Sequence, residues 1–65
     1  MEIKKIRESR RMRQYELANR MGVKQASVSA WESGKAVPSA ENLMKLADIL
    51  ECSVDALLGR EPASA

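Results

Sequence analysis

A chain of 65 residues forms at most one domain, and it lies below the roughly 70–80 residues at which a single core becomes self-sufficient. Its apolar residues are aliphatic or Met apart from Trp31 and Tyr15, which favours a helical core. No apolar run approaches the roughly 18 residues of a membrane span, so we expect a cytosolic protein. Residues 1–35 carry a net charge of +5 and residues 36–65 a net charge of −3, so the first half suits a polyanionic partner, although solvated helix surfaces also carry charge.

The cysteine and histidine content excludes several kinds of site. Cys52 is alone, so it cannot form a disulfide within the chain, and the sequence contains no His. A Cys/His zinc cluster is therefore excluded, and the commonest general base is missing. We expect no cofactor and no catalytic site. Cys52 is expected to be a small buried hydrophobe, with a reactive or metal-binding thiol as the alternative.

Three helices are predicted in the first half of the chain. Residues 2–10 have apolar side chains at helical spacing and form the first. Residues 14–21 form the second, with its apolar side chains on one face, and Gly22 follows as a residue that tolerates the left-handed conformation of a helix end. Residues 25–33 form the third helix, and Gly34 ends it.

Two more helices are predicted in the second half. Pro38 cannot continue a helix and Ser39 is a good N-cap, so a fourth helix begins here and runs to about Leu50. Ser53 caps a short fifth helix, and Gly59 closes it. The helices of this half therefore begin at serine caps.

The five predicted helices account for nearly the whole chain. Tight turns join them, and no pattern is typical of strands, repeats or linkers, so the sequence predicts an all-α single domain over residues 1–59. Residues 60–65, REPASA, are expected to form a flexible C-terminal tail. Met12, Met21 and Met44 are expected to fill the core.

The third predicted helix has two different sides. Val28, Trp31 and Glu32 lie on one of them. Trp31 is expected to pack in the core against the fourth helix, with stacking or intercalation in nucleic acid as the alternative. The opposite side has neither a strong charge nor a catalytic group, and it consists of Gln25, Ala26, Ser29, Ala30 and Ser33.

An ordered set of residues runs through almost the whole chain, from residue 3 to about residue 58. Its members are Arg7, Met12, Gln14, Glu16, Leu17, Ala18, Met21, Gly22, Val23, Val28, Ser29, Trp31, Glu32, Gly34, Lys35, Pro38, Leu46, Ala47, Leu50, Ser53, Val54, Asp55, Leu57 and Leu58. As a combination, this set resembles the phage-repressor/Cro-type (XRE) helix-turn-helix family and is far more specific than any single motif within it.

The resemblance implies a fold and a partner. The fold is a five-helix, lambda-repressor-like domain with residues 14–21 as the positioning helix and residues 25–33 as the recognition helix. The partner is double-stranded DNA, bound by a dimer whose recognition helices enter the major groove.

Four residues of the outward side are candidates for reading bases, because sequence is read by hydrogen bonds and methyl contacts rather than by charge. The Gln25 amide can pair with the N6/N7 edge of adenine, and the Ser29 hydroxyl can bond to any base. The methyl groups of Ala26 and Ala30 can pack on a thymine methyl. Without the family resemblance, a merely solvated helix face would be an equal alternative.

Phosphates are favoured at the N-terminus of the positioning helix, where free backbone N–H groups and the positive end of the helix dipole lie. The resemblance implies that Gln14, which opens this helix, meets Gln25 and touches the DNA backbone. It also implies that Arg7 forms a partly buried structural bridge with Glu32. The other phosphate candidates are Arg13, Lys24, Ser27, Ser33 and Lys35, with Arg10 and Arg11 as weaker ones.

Three positions depart from the usual choices of the family. Arg13 and Lys24 occupy the N-cap positions of the second and third helices, where Ser or Thr would satisfy a free N–H, and each loss costs about 1 kcal/mol. Two extra positive charges close to DNA can offset that cost. Glu51 stands where Gly usually ends the fourth helix, so either it adopts a positive φ or the chain turns differently there.

The sequence therefore predicts a sequence-specific DNA-binding transcriptional regulator, and a repressor is favoured over an activator. We expect it to act as a homodimer that is weak without DNA. The dimer contact is expected near residues 52–58. The alternative is a protein-interaction module of the same fold, such as an antitoxin-like or adaptor domain. Small polar and methyl-bearing residues among basic neighbours favour DNA over that alternative. Neither a membrane nor a small-molecule ligand is indicated.

Overall fold

A computed structural model describes residues 1–60. These residues form five helices and no strand. The helices are α1 (Ile3–Ser9), α2 (Gln14–Met21), α3 (Gln25–Ser33), α4 (Ala40–Leu50) and α5 (Val54–Leu57). The predicted all-α fold is confirmed, and α1 is one residue shorter at each end than predicted. Apart from Arg60, the predicted tail lies outside the described residues. None of the helices in the described part of the chain is long and apolar enough to cross a membrane.

Helices α2 to α5 begin in two different ways. At α4, Asn42 N donates to the Oγ of Ser39 at 3.2 Å, and at α5, Ala56 N donates to the Oγ of Ser53 at 3.0 Å. These serine caps satisfy one of the N–H groups that a helix start leaves unpaired. The N-cap residues of α2 and α3 are instead basic, and neither provides a side-chain cap.

Each of the five helices is followed by a residue with positive φ. Gly22 (72°), Gly34 (82°) and Gly59 (72°) end α2, α3 and α5, while Arg11 (55°) and Glu51 (54°) stand at the ends of α1 and α4. Glu51 therefore adopts the left-handed alternative. For a residue with a side chain this conformation costs about 1–2 kcal/mol.

The core lies where all five helices meet. Side chains from every helix are completely buried in it, and these are Ile3, Leu17, Val28, Leu46, Leu50 and Leu57. The backbone N–H of Glu2 donates to the Leu57 carbonyl at 2.8 Å, so the start of the chain is attached to α5. The first and last helices thereby close the domain around α2, α3 and α4.

The predictions for the methionines and the tryptophan have mixed outcomes. Met12 and Met21 are buried, and Trp31 is buried in the core as predicted, with 7% of its surface exposed. The prediction for Met44 is wrong, since 65% of its surface is exposed. Successive helical residues are separated by 100°, so Met44 points roughly 160° away from Leu46, the buried residue two positions later.

Candidate DNA-binding surface

The turn between α2 and α3 fixes the relative orientation of these two helices. Gly22 N donates to the Asn19 carbonyl at 3.2 Å, and Val23 N donates to the Ala18 carbonyl at 3.0 Å. This is the hydrogen-bond pattern of a Schellman motif, which needs the left-handed conformation that Gly22 adopts. The chain then enters α3 after three residues, so the two short helices form a helix-turn-helix.

The predicted base-reading residues lie on the outward side of α3. Gln25, Ala26 and Ser29 are exposed, and Ala30 is partly buried. The division of this helix into an outward and a core-facing side agrees with the prediction. Contacts of these four residues with bases remain predictions.

The predicted phosphate-binding residues lie around this outward side in different environments. Arg13, Lys24 and Lys35 are exposed, whereas Ser27 is partly buried. The Ser33 hydroxyl donates to the Ala30 carbonyl at 3.3 Å. Within residues 1–60 the Lys24 and Lys35 side chains form no hydrogen bond or ion pair, so both ammonium groups are available to an external anion.

Four side chains form a continuous series of hydrogen bonds, called here the polar chain, that runs from the interior to the outward side of α3. Its buried end is Arg7, whose Nε donates to Glu32 Oε2 at 2.7 Å and whose Nη2 donates to Glu32 Oε1 at 3.2 Å. Gln14 Nε2 donates to Glu32 Oε1 at 3.0 Å. Gln25 Nε2 in turn donates to Gln14 Oε1 at 3.2 Å. The two glutamines meet, as the resemblance implies.

The ion pair within the polar chain is nearly out of contact with water. The side chains of Arg7 and Glu32 are 9% and 5% exposed. A third donor of Arg7, Nη1, bonds to the Met12 carbonyl at 2.7 Å, which fixes the turn after α1. Hydrogen bonding to Glu32 raises the pKa of the Arg7 guanidinium above its usual value, although burial opposes this shift. The two hydrogen bonds from the Arg7 guanidinium to the Glu32 carboxylate therefore hold α1 against α3.

Arg10 has a role that the sequence reasoning missed. Its Nε donates to the Leu50 carbonyl at 2.8 Å, and its Nη2 donates to the Glu51 carbonyl at 3.1 Å. These carbonyls lie at the C-terminus of α4, where a cation is favoured by the negative end of the helix dipole. Arg10 therefore has a structural role, and its weakly predicted phosphate contact stays a prediction. A positive φ at Glu51, one of the two alternatives for this position, was the available signal, because a turn of that kind exposes carbonyls that need donors.

Arg11 differs from its neighbour, although both are arginines of the same turn. Its backbone N–H donates to the Glu8 carbonyl at 2.9 Å, and Met12 N donates to the Arg7 carbonyl at 3.2 Å, which is again a Schellman motif. The side chain of Arg11 is exposed and has no hydrogen bond or ion pair with any residue that the structure describes. A glycine position is thus occupied by a basic residue with an available guanidinium.

Comparison with known proteins identifies a matching family and several similar proteins. The sequence model of the helix-turn-helix family matches residues 3–57. The cryptic phage CTXphi transcriptional repressor RstR of Vibrio cholerae is 45% identical over 47 residues, which cover 72% of this chain and 42% of that protein. Repressor protein C2 of Salmonella phage P22 is 38% identical over 56 residues, which cover 86% of this chain and 26% of that protein.

A third relative has a name that indicates the opposite direction of regulation. The HTH-type transcriptional activator BcrR of Enterococcus faecalis is 30% identical over 59 residues, which cover 91% of this chain and 29% of that protein. The chain spans less than half the length of each of these three relatives. No solved structure matches the chain.

Proposed function

The chain belongs to the XRE-type helix-turn-helix family, and from this premise we propose that it is a sequence-specific transcriptional regulator that binds operator DNA and acts as a repressor. Two of its relatives, RstR and C2, are named repressors. We propose that α3 enters the major groove and that α2 lies across the sugar–phosphate backbone. A regulator of this kind acts in the cytoplasm, where bacterial and phage DNA is transcribed.

The observation that carries the proposal is the arrangement of the Gln25 amide. Gln25 is exposed at the first residue of α3, and among residues 1–60 only one N–H of its Nε2 is used, in the bond to Gln14 Oε1. The second N–H and the Oε1 remain for a ligand. Adenine presents the complementary pair in the major groove, with N7 as acceptor and N6 as donor, and binds a glutamine amide with two hydrogen bonds.

Phosphate contacts supply most of the affinity in this proposal. Lys24 and Lys35 stand at opposite ends of α3, and Arg13 stands before α2, so basic groups border the outward side of α3. Gln14 has a second N–H on Nε2 that can donate to a phosphate at the N-terminus of α2. Ser27 and Ser33 are further candidates by the family pattern.

We propose that two copies bind one palindromic operator, with half-sites about 10 base pairs apart, one turn of DNA. The surface offered for the contact between copies is α5 with the turn before it. Leu58, directly after α5, has 36% of its surface exposed, and Val54 is partly buried. So small an apolar area supports a dimer that forms mainly on DNA.

Two substitutions on the DNA side separate base reading from phosphate binding. Duplexes selected from a random library supply the cognate site, and affinities are measured on cognate and scrambled duplexes at several salt concentrations. Gln25→Ala should cost about 1–3 kcal/mol on the cognate site and flatten the preference at one base pair of each half-site. Lys35→Ala should weaken both duplexes alike and reduce the salt slope by about one contact.

Three results would contradict this proposal. Equal losses for Gln25→Ala on both duplexes would mean that α3 positions the protein without reading sequence. A salt-independent affinity would argue against phosphate contacts and favour a protein-interaction module. Sedimentation that finds one copy on a complete operator would exclude the dimer.

A further inference from the structure

We propose that Glu32, which lies too deep to reach DNA, determines base specificity by fixing the direction in which Gln25 presents its amide. The inference rests on the proposed function, because it concerns how Gln25 reads a base. Glu32 is a positioning residue in this scheme, since it acts through Gln14. The polar chain carries the inference.

The direction of every hydrogen bond in the polar chain follows from its one carboxylate. Ionised Glu32 can only accept, and its two oxygens face donors of Arg7 and Gln14. Gln14 must therefore turn its NH₂ group towards Glu32 and its Oε1 towards Gln25. Gln25 must in turn donate with its Nε2, as it does at 3.2 Å.

This direction makes Gln25 suitable for adenine and unsuitable for guanine. The groups that Gln25 has left are one N–H and the Oε1 acceptor. Adenine offers an acceptor at N7 and a donor at N6, so both groups are satisfied. Guanine offers acceptors at both N7 and O6, which would place the Gln25 Oε1 against another acceptor and leave both without a donor.

The reversed polar chain would favour the wrong base. If both amides turned over, Gln14 would donate to Gln25, and the NH₂ group of Gln25 would be available to the two acceptors of guanine. Reversal, however, places the Gln14 Oε1 against the Glu32 carboxylate at the position where Nε2 now lies, 3.0 Å from Oε1. Two acceptors at that distance, one of them on a side chain that is only 5% exposed, strongly disfavour the reversed arrangement.

The direct test is Glu32→Gln, which keeps the shape of the side chain and supplies both a donor and an acceptor. The polar chain can then run in either direction. The measured quantity is the ratio of affinities for the cognate duplex and for duplexes in which the adenine read by Gln25 is replaced by guanine. The wild type should show a ratio of about tenfold or more, and Glu32→Gln should reduce it to about threefold or less.

Two further variants make the test independent of stability. Gln14→Ala cuts the polar chain without touching the ion pair, so it should lower the adenine-to-guanine ratio to a similar degree, even though it weakens binding to all duplexes. Arg7→Lys is the matched control, since it weakens the same ion pair from the other partner but keeps the carboxylate. It should lower the melting temperature and leave the ratio unchanged.

The outcomes distinguish this inference from the proposed function. If Gln25→Ala flattens the base preference but Glu32→Gln and Gln14→Ala keep the wild-type ratio, the fixed direction is wrong and base reading by Gln25 stands. If Arg7→Lys lowers the ratio as much as Glu32→Gln does, the effect comes from loosened packing, which also overturns the inference. If Gln25→Ala leaves the preference intact, both proposals fail.

Discussion

The helices that face the proposed DNA and the helices behind them begin differently. Serine side chains cap α4 and α5 through Ser39 and Ser53. The corresponding positions of α2 and α3 hold Arg13 and Lys24, whose side chains cannot accept from a backbone N–H. At α2, Glu16 Oε1 accepts from the Arg13 N–H at 2.9 Å, which is only one of the two bonds of a capping box.

The difference indicates that the starts of α2 and α3 have more positive charge and less local stability than the starts of α4 and α5. A missing serine cap costs about 1 kcal/mol. The three helices whose N-cap side chain makes no cap bond, α1, α2 and α3, all lie in the half of the chain that carries the excess of positive charge. The left-handed residues follow the same division, since Arg11 lies in the basic half and Glu51 in the acidic half. Helices α2 and α3 therefore need stabilisation from interactions other than side-chain caps. The buried pair Arg7–Glu32 provides it by joining α1 to α3.

Among these substitutions, Glu32→Ala should have the largest effect on the unfolding free energy. It leaves the buried Arg7 guanidinium with the Met12 carbonyl as its remaining partner among those described, and should cost on the order of 3 kcal/mol of unfolding free energy. Urea or thermal unfolding followed by circular dichroism measures this.

The control for that measurement is Glu41→Ala, which removes the carboxylate of another ion pair. Glu41 Oε1 lies 3.8 Å from Lys45 Nζ, and both side chains are largely exposed. Its loss should change stability by less than about 0.5 kcal/mol. If the two variants unfold alike, the Arg7–Glu32 pair contributes no more than an exposed pair, and the proposed compensation is wrong.

Lys24→Ser sharpens the comparison by giving α3 the kind of cap that α4 has. It should raise the unfolding free energy by about 1 kcal/mol and reduce the salt dependence of DNA binding by about one contact. Ser39→Ala is the opposite change, with a loss of about 1 kcal/mol and no effect on the salt slope. If Lys24→Ser improved stability and left DNA binding unchanged, the exchange of stability for charge would not exist at this position.

Much of the fold could be predicted from the sequence because its signals are local. Gly22 and Gly34 mark helix ends, and Ser39 and Ser53 mark helix starts, through backbone chemistry that involves only neighbouring residues. The two sides of α3 also follow from helical periodicity alone. The pairs Arg7–Glu32 and Gln14–Gln25 came from family resemblance, since no local signal connects residues so far apart in the chain.

The features that sequence reasoning missed depend on packing between distant segments. Arg10 caps α4 across 40 positions of the chain. Met44 is an apolar residue of the kind that fills cores, but it lies on the solvent side of α4. The direction of the polar chain depends on the carboxylate of Glu32 and two glutamines meeting in space. These features are determined by the relative positions of helices, which no single segment encodes.

The smallest expected effects concern the two left-handed residues that are not glycine. Glycine removes the strain of a side chain, about 1–2 kcal/mol, but makes the unfolded chain more flexible, which offsets roughly half of that gain. Arg11→Gly and Glu51→Gly should therefore each raise the unfolding free energy by about 0.5 kcal/mol. The Arg10 bond to the Glu51 carbonyl involves only backbone of Glu51, so it survives the second substitution.

DNA binding should distinguish these two otherwise equivalent changes. Arg11→Gly removes a guanidinium that has no partner among residues 1–60 and lies two residues before Arg13, so the salt slope should fall by up to about one contact. Glu51→Gly removes an acidic group from the opposite half and should leave the slope unchanged. Unfolding curves and salt titrations of the same preparations measure both quantities. If the two variants bind DNA alike, the left-handed arginine contributes nothing to the interface, and the strain at the end of α1 has no counterpart in binding.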